Sequence, residues 1–581
     1  MTSLSVIPPA LLFVVGALLV ALTPSQSARR VITCAIPLVT LVYIWQALPL
    51  ETHTSLPFLA HELSPLRVDR LSKIFGLIFS LVAFIGSVYA WHNPDRKQQV
   101  ASLLYTSGAV GVAFAGDYVV LYVFWELMAI SSVFLIWARN EAESQRAGNR
   151  YLLVHLTGGA ILLSGIISHT AGVGSIAFEA IGPVSSGWGA WLILLGFCLN
   201  AAVPPLGPWL PDAYPKATIT GAVFCSALTT KTAVYTLLRA FPGWEILIIA
   251  GVGMALYGVV YAVLSNDIRE LLAYHIISQV GYMVAGAGLG TPLAVNGATA
   301  HAVCHILYKA LLFMGAGAVL HTTGRSKFTE LGGFLSRQKL TFSLYMIGAF
   351  SISGFPLWSG FVSKSMVVSA ASDAHANWTY LLLTLASVGT FLHTGLKLPY
   401  FTWMGPDRHI QPAPVPVNMH AGMAIAATLC TLIGVVPSVL YQFLPNAVDY
   451  HPYTTAHVIE SIQILLFTLF AFYLLIPNLG GDTTVLMDTD VLYRKTAPWA
   501  RRIFVDGLAA FFEGTLRITT WLAEQATQAM QDPTRWFRRV PPGRTGPFNP
   551  DREREPLQEP LVATLFVFVC VALLALFMWD D

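Results

Sequence analysis

Ala222-Val-Phe-Cys-Ser-Ala-Leu-Thr-Thr-Lys231-Thr-Ala-Val-Tyr235 decides how this chain is read. It lies inside an apolar run, residues 218–240, that is long enough to cross a bilayer, since a span takes about 20 mostly apolar residues. A lysine stands in the middle of it. An ionisable group at that depth costs roughly 2.5–3.5 kcal/mol on insertion scales, so its presence calls for a function. Thr229, Thr230 and Thr232 flank it and can bond the ammonium or hold water. A desolvated lysine can give up and recover a proton, which arginine does not readily do.

Outward from Lys231 the pattern repeats. Glu126 stands inside Val119-Val-Leu-Tyr-Val-Phe-Trp-Glu-Leu-Met-Ala-Ile. A carboxylate there must be protonated or paired with a cation. His301, His305 and Lys309 fall four apart in the run 296–320 and so share a helix face. Two histidines at that spacing suit a metal, but no carboxylate or cysteine joins them on that face. The reading is a proton-relay face, with packing or helix capping as the alternative. Lys364 and Lys397 extend the row; Lys397 alternatively snorkels to a membrane face. For Glu126 and Lys231 the alternative is an ion pair that only fixes packing. His275, beside Ser278 and Gln279, is a polar cap or a further member. In such a row each proton state shifts the titration of its neighbours.

Composition agrees with a membrane protein. The 581 residues are 55% hydrophobic and 11% charged, with a mean hydropathy of +0.63, against about 25% charged in an average soluble domain. Lys+Arg 33 against Asp+Glu 31 leaves no basic excess, so nucleic acid is not implied. The six cysteines are scattered singly through apolar segments, without the close spacing of a zinc or iron–sulfur site, and no cofactor is indicated. The first run, 6–23, lacks a basic n-region and a cleavage site and reads as a retained span.

The runs imply an all-α polytopic protein with about 14 core spans. We divide it into N-terminal helices (1–95), a first repeat (96–265), a second repeat (266–415), C-terminal core helices (416–480) and a tail (481–581). Two oily segments are broken, at Asn200-Ala-Ala-Val-Pro-Pro-Leu-Gly-Pro-Trp-Leu-Pro-Asp-Ala and at Ser351-Ile-Ser-Gly-Phe-Pro-Leu-Trp-Ser-Gly-Phe-Val-Ser-Lys364. Proline breaks helices, and irregular backbone at depth survives only when buried or lining a wet cavity. Paired breaks in two halves point to an internal repeat and a transport path. Basic loops (Arg29 and Arg30; Arg96 and Lys97; Arg139, Arg146 and Arg150) follow odd-numbered spans and put the N-terminus outside. In the tail, Phe504, Leu508, Phe511, Ile518 and Leu522 recur at helical spacing among charges, as in an amphipathic helix lying along a surface. A polar stretch and a last span near 560–578 follow.

The motifs carry a resemblance. Phe-Trp-Glu at Glu126, Trp209-Leu-Pro-Asp-Ala, Thr230-Lys-Thr-Ala-Val-Tyr, Asn266-Asp-Ile-Arg-Glu-Leu-Leu-Ala-Tyr-His, His305-Ile-Leu-Tyr-Lys and Ser359-Gly-Phe-Val-Ser-Lys run through about residues 70–400. They resemble the antiporter-like subunits shared by Mrp-type multisubunit sodium/proton antiporters, respiratory complex I and membrane-bound hydrogenases. The D component of the Mrp type is the nearest in its Ala-Tyr-His and Leu-Lys-Leu-Pro-Tyr segments. The resemblance implies two inverted five-helix repeats, each with a broken helix, and a hydrated axis through Glu126, Lys231, Lys309 and Lys364. It also implies partners, namely other membrane subunits, with protons and sodium as the candidate ions in the inner (plasma) membrane. One position departs. The family pairs its glutamate with a lysine nine residues before the tryptophan of Trp209-Leu-Pro-Asp-Ala, and here that residue is Asn200. Either Lys231 pairs with Glu126 directly, or one half-channel is lost or retuned.

Overall fold

A computed structural model of the chain describes residues 6–58, 61–182, 187–482, 488–531, 563–564 and 566–569. The expected last span near 560–578 and the polar stretch before it fall almost entirely outside the described residues. The chain divides into two units, Met1–Asp490 and Val491–Asp581.

Helices α1 (Pro9–Leu22) and α2 (Gln26–Val42) lead into a two-stranded hairpin, β1 (His53–Phe58) and β2 (His61–Arg67). The hairpin is an addition to the all-α expectation. Its alternation is interrupted by two prolines, which hid it. Ser64 pins it, accepting from Gly116 N through its carbonyl and donating its own amide to the Asp117 carboxylate.

Helices α3 (Arg70–Tyr89), α4 (Arg96–Phe114), α5 (Tyr118–Trp137), α6 (Ala142–Val173), α7 (Trp188–Asn200), α8 (Trp209–Ala213), α9 (Gly221–Ala227) and α10 (Thr229–Ala240) follow. Next come α11 (Glu245–Leu264), α12 (Ile268–Leu289), α13 (Pro292–Thr323), α14 (Lys339–Ser353), α15 (Ser359–Asp373) and α16 (Asn377–Thr390), which continues into π-helical turns at Phe391–Lys397 and Tyr400–Met404. The unit closes with α17 (Val417–Val435), α18 (Ser438–Tyr441) and α19 (Thr455–Leu475). Among the described residues, nine helices are long and apolar enough to cross a membrane. The remaining paths are short, broken or lined with polar groups.

The internal repeat is built from the same parts twice. Asp117 caps α5 by accepting from Val119 and Val120, and Asp267 caps α12 by accepting from Arg269 and Glu270. Each aspartate also pairs, strand-like, with the segment after the following helix, Asp117 with Ala177 and Asp267 with Lys327. Those following helices, α6 and α13, are both 32 residues long, and both end on a left-handed glycine, Gly174 and Gly324. Each is followed by a broken pair, α7–α8 and α14–α15. By this matching α11 opens the second set as α4 opens the first, whereas the boundary at 265/266 leaves α11 in the first.

The tail unit carries α20 (Asp490–Ala500), a π-helical turn at Arg501–Asp506, and α21 (Gly507–Gln531). Leu508, Phe511, Ile518 and Leu522 are all exposed on it.

Candidate functional site

The break between α9 and α10 sets the position of Lys231. The residue lies in the first turn of α10 with no exposed surface. Its Nζ donates back across the break to the Ser226 carbonyl at 2.5 Å and to Thr230 Oγ1 at 3.1 Å. No ion pair joins it to Glu126 among the described residues, so the direct pairing left open by the sequence is not formed.

From Lys231 a row of buried groups runs through α13 and α12 to the π-helical end of α16. His305 lies within electrostatic reach of Lys231, Lys309 and His301. Both ring nitrogens of His305 and the Nζ of Lys309 are buried with no hydrogen-bond partner among the described residues. His275 on α12 is in reach of Lys309, His393, Lys364 and His305. It meets His393 edge to face, ring centroids 4.5 Å apart. Thr394 Oγ1 bonds Nδ1 of both rings at 2.8 Å, and Thr390 Oγ1 lies 3.3 Å from His275 Nε2 and from Gln279 Nε2. Beyond His393, Lys397 donates to the carbonyls of Val263 and Ser265, the latter at 2.9 Å, and sits over the Phe328 ring. Lys397 is 1% exposed. It does not snorkel; it is held by the last carbonyls of α11, where the negative end of the helix dipole favours a cation.

A branch leaves the row at His301. Its Nδ1 lies 3.3 Å from Ser363 Oγ, next to Lys364. Lys364 Nζ donates to Ser387 Oγ at 2.9 Å and sits over the Tyr282 ring. Beside it opens a cavity of about 100 Å³, lined by polar faces of α15, α16 and α19. Thr384, Ser461 and His457 line its walls, and at its mouth Tyr380 donates to the exposed Glu460 at 2.8 Å. A polar space of this size holds several waters.

The first half is arranged differently. Glu126 is half-buried on α5, with its carboxyl over Gly159 of α6. Tyr122 serves the carboxyl, while Oε1 lies buried without a partner. Both amide atoms of Asn200, at the end of α7, are likewise buried and unpartnered. Arg269 is buried and gives its guanidinium to the carbonyls of Tyr214, Ala217 and Thr218.

Sequence reasoning singled out the lysines, Glu126 and the α13 histidines, and left His275 open between cap and row; the structure puts it in the row. It missed His393, His155, Thr390, Thr394 and Glu460. His393 stands four before Lys397, the spacing that drew notice on α13, so a signal was there. Among the described residues no group of three or more His, Cys, Asp or Glu is placed to hold a metal.

A model of the family described as NADH:quinone oxidoreductase/Mrp antiporter, transmembrane, matches residues 115–392. The D component of the Na(+)/H(+) antiporter of Alkalihalophilus pseudofirmus is 30% identical over 446 residues, covering 71% of this chain and 89% of that protein. A chain of the Mrp complex from Dietzia sp. superposes with a TM-score of 0.68 at 21% identity, covering 78% of this chain and 98% of its own. A chain of respiratory complex I from Thermus thermophilus gives 0.65 at 21%, covering 74% and 97%. The two structural likenesses carry the fold, and the sequence relationship carries the membership: the chain is an antiporter-like membrane subunit of the NADH:quinone oxidoreductase/Mrp antiporter family.

Proposed function

We propose that this chain is the proton-translocating membrane subunit of a multisubunit monovalent cation/proton antiporter, with sodium as the candidate counter-ion. It works beside other membrane subunits in the plasma membrane, its N-terminus outside. The observation that carries the reading is the row from Lys231 through His305, Lys309, His275, Thr394 and His393 to Lys397. Its members are buried, neighbours along it are within reach of one another, and several lack a partner among the described residues. Unpaired polar groups in a protein interior are costly, and a hydrated axis that passes protons between them accounts for their presence. The test is pH-gradient-linked Na⁺ or K⁺ exchange in vesicles carrying the chain with its co-assembled subunits. Lys231→Ala abolishes exchange; unchanged exchange overturns the relay.

The same residues suit the proton-pumping subunit of a redox complex, and the complex I likeness favours keeping that reading. Co-purification in mild detergent separates the two, since iron–sulfur subunits in the preparation support the redox reading. The unpartnered Asn200 favours a third, a bracing subunit with one half silent, which predicts that Glu126→Gln leaves exchange unchanged.

A further inference from the structure

We propose that His155 on α6 is the proton carrier that links Glu126 to Lys231 in this chain, in the place left empty of charge by Asn200. The assignment rests on the relay reading above and adds a residue to it.

Tyr151, His155 and Gly159 follow one another at four-residue spacing and so form one stripe of α6. At one end of the stripe the Glu126 carboxyl lies over Gly159, so close that a side chain at 159 would occupy its place. At the other end the Tyr151 hydroxyl bonds Ser132 at 2.8 Å and reaches Thr229. Thr229 also takes the Tyr105 hydroxyl at 2.6 Å, and Thr230 beside it holds the Lys231 ammonium. His155 lies between the two ends. Its ring stacks on Tyr151, centroids 4.0 Å apart, and meets the Trp209 ring edge to face at 4.5 Å. Trp209 in turn donates to the Leu199 carbonyl, the residue before Asn200.

The protonation state of the ring follows from its contacts. Nδ1 faces the Tyr151 carbonyl at 2.9 Å. A carbonyl only accepts, so Nδ1 carries the hydrogen. In the neutral ring Nε2 therefore bears a bare lone pair, and it is buried with no partner. His155 is 1% exposed. Three buried sites in this half thus lack partners among the described residues, His155 Nε2, Glu126 Oε1 and the Asn200 amide. One can give a proton, one can take it, and the third can only bond.

The step balances without any other reagent. The O–H bond of protonated Glu126 breaks, an N–H bond forms at His155 Nε2, and a carboxylate and an imidazolium result with no change in net charge. In a dry site neither charge is stable alone, so the two appear and vanish together. One helical turn is about 5.4 Å, so the proton crosses through intervening water rather than a direct bond. The imidazolium then stands one stacked ring from the hydroxyl cluster at Thr229 and biases the proton on Lys231.

The test uses vesicles from cells making the chain with its partner subunits, with NaCl or KCl pulses and a ΔpH dye. His155→Asn keeps an amide donor for the Tyr151 carbonyl and removes Nε2. Exchange falls at least about tenfold, in line with the loss of one positioned proton carrier, while assembly on native gels stays normal. Adding Asn200→Lys to that variant restores exchange. Parental exchange in His155→Asn overturns the assignment, and so does a loss, with normal assembly, that Asn200→Lys fails to relieve. If Lys231→Ala abolishes exchange while His155→Asn does nothing, only the His155 assignment falls. If Lys231→Ala also does nothing, the relay itself falls.

Discussion

His275 and His393 share a single hydroxyl. Thr394 Oγ1 lies 2.8 Å from Nδ1 of each ring. A hydroxyl has one hydrogen, so it donates to one ring and accepts from the other. One Nδ1 is therefore bare and the other protonated, and when the pair holds one extra proton, as one imidazolium and one neutral ring, exchange of the two states through the hydroxyl passes that proton between α16 and α12 without moving a side chain. Thr394→Val keeps the shape and deletes the hydroxyl. It lowers cation-linked proton exchange about tenfold or more, whereas Thr394→Ser keeps it near parental. Equal rates for Val and Ser remove the hydroxyl from the path.

The cavity beside Lys364 also reaches Ser461 and the exposed Glu460, and on the relay reading it is the port by which water meets that lysine. Ser461 lines it without bonding the lysine. Ser461→Cys reacts with a membrane-impermeant thiosulfonate added from one side only, and modification blocks exchange. Glu460→Gln, which keeps the bond to Tyr380 but removes the charge, slows exchange by a few-fold, roughly the effect of removing one rim charge. Labelling from neither side closes this port.

What the sequence made legible follows from contrast. A lysine or glutamate in an oily run stands out, so Glu126, Lys231, Lys309, Lys364 and Lys397 are visible at once. Asn200 was visible only as a departure from the pairing lysine that the family resemblance implies. Thr390 and Thr394 were not, because threonines in apolar helices commonly bond their own backbone, as Thr390 does with Ala386. His393 did carry a signal, four residues before Lys397, although the π-helical turns in which it lies take that spacing off a single helix face. His155 sits near glycines on a helix whose other faces leave Leu153, Leu156 and Ile167 exposed, and only the position of Glu126 over Gly159 draws attention to it. The break before Lys231 had no proline to announce it, unlike those after Asn200 and at Pro356.

Asp69 and Arg239 tie the start of α3 to the end of α10 through two bonds of 2.7 and 2.8 Å. Burial works to raise the Asp69 pKa, but the hydrogen bond and charge of Arg239, the Ser72 amide and Arg67 outweigh it and hold the carboxyl at about 2, below its ordinary 3.8. A carboxyl lowered on folding stabilises above its unfolded pKa and loses that contribution as pH falls toward the folded value. The window is therefore about pH 4 down to 2. Asp69→Asn, which keeps the helix cap, lowers stability in detergent at pH 7. The carboxylate is 40% exposed, so the effect is discounted for screening to about 1 kcal/mol. The difference shrinks steadily over that window, and variant and parent converge only below pH 2. A constant difference from pH 7 to 2 assigns the effect to packing instead.

Gly159 offers a separation of stability from transport. A Cβ there falls on the Glu126 carboxyl, and the half-buried glutamate must swing away. Alanine in a helix interior is favoured over glycine by up to about 1 kcal/mol, so Gly159→Ala leaves the helix intact or firmer. Exchange nonetheless drops about tenfold, because the carboxyl no longer lies over the α6 stripe that carries His155. Gly172→Ala, on the same helix with open space around it, shares the gain in helix propensity and leaves exchange at the parental rate. Equal exchange in both alanine variants means that the position of Glu126 over Gly159 is packing and not part of the path.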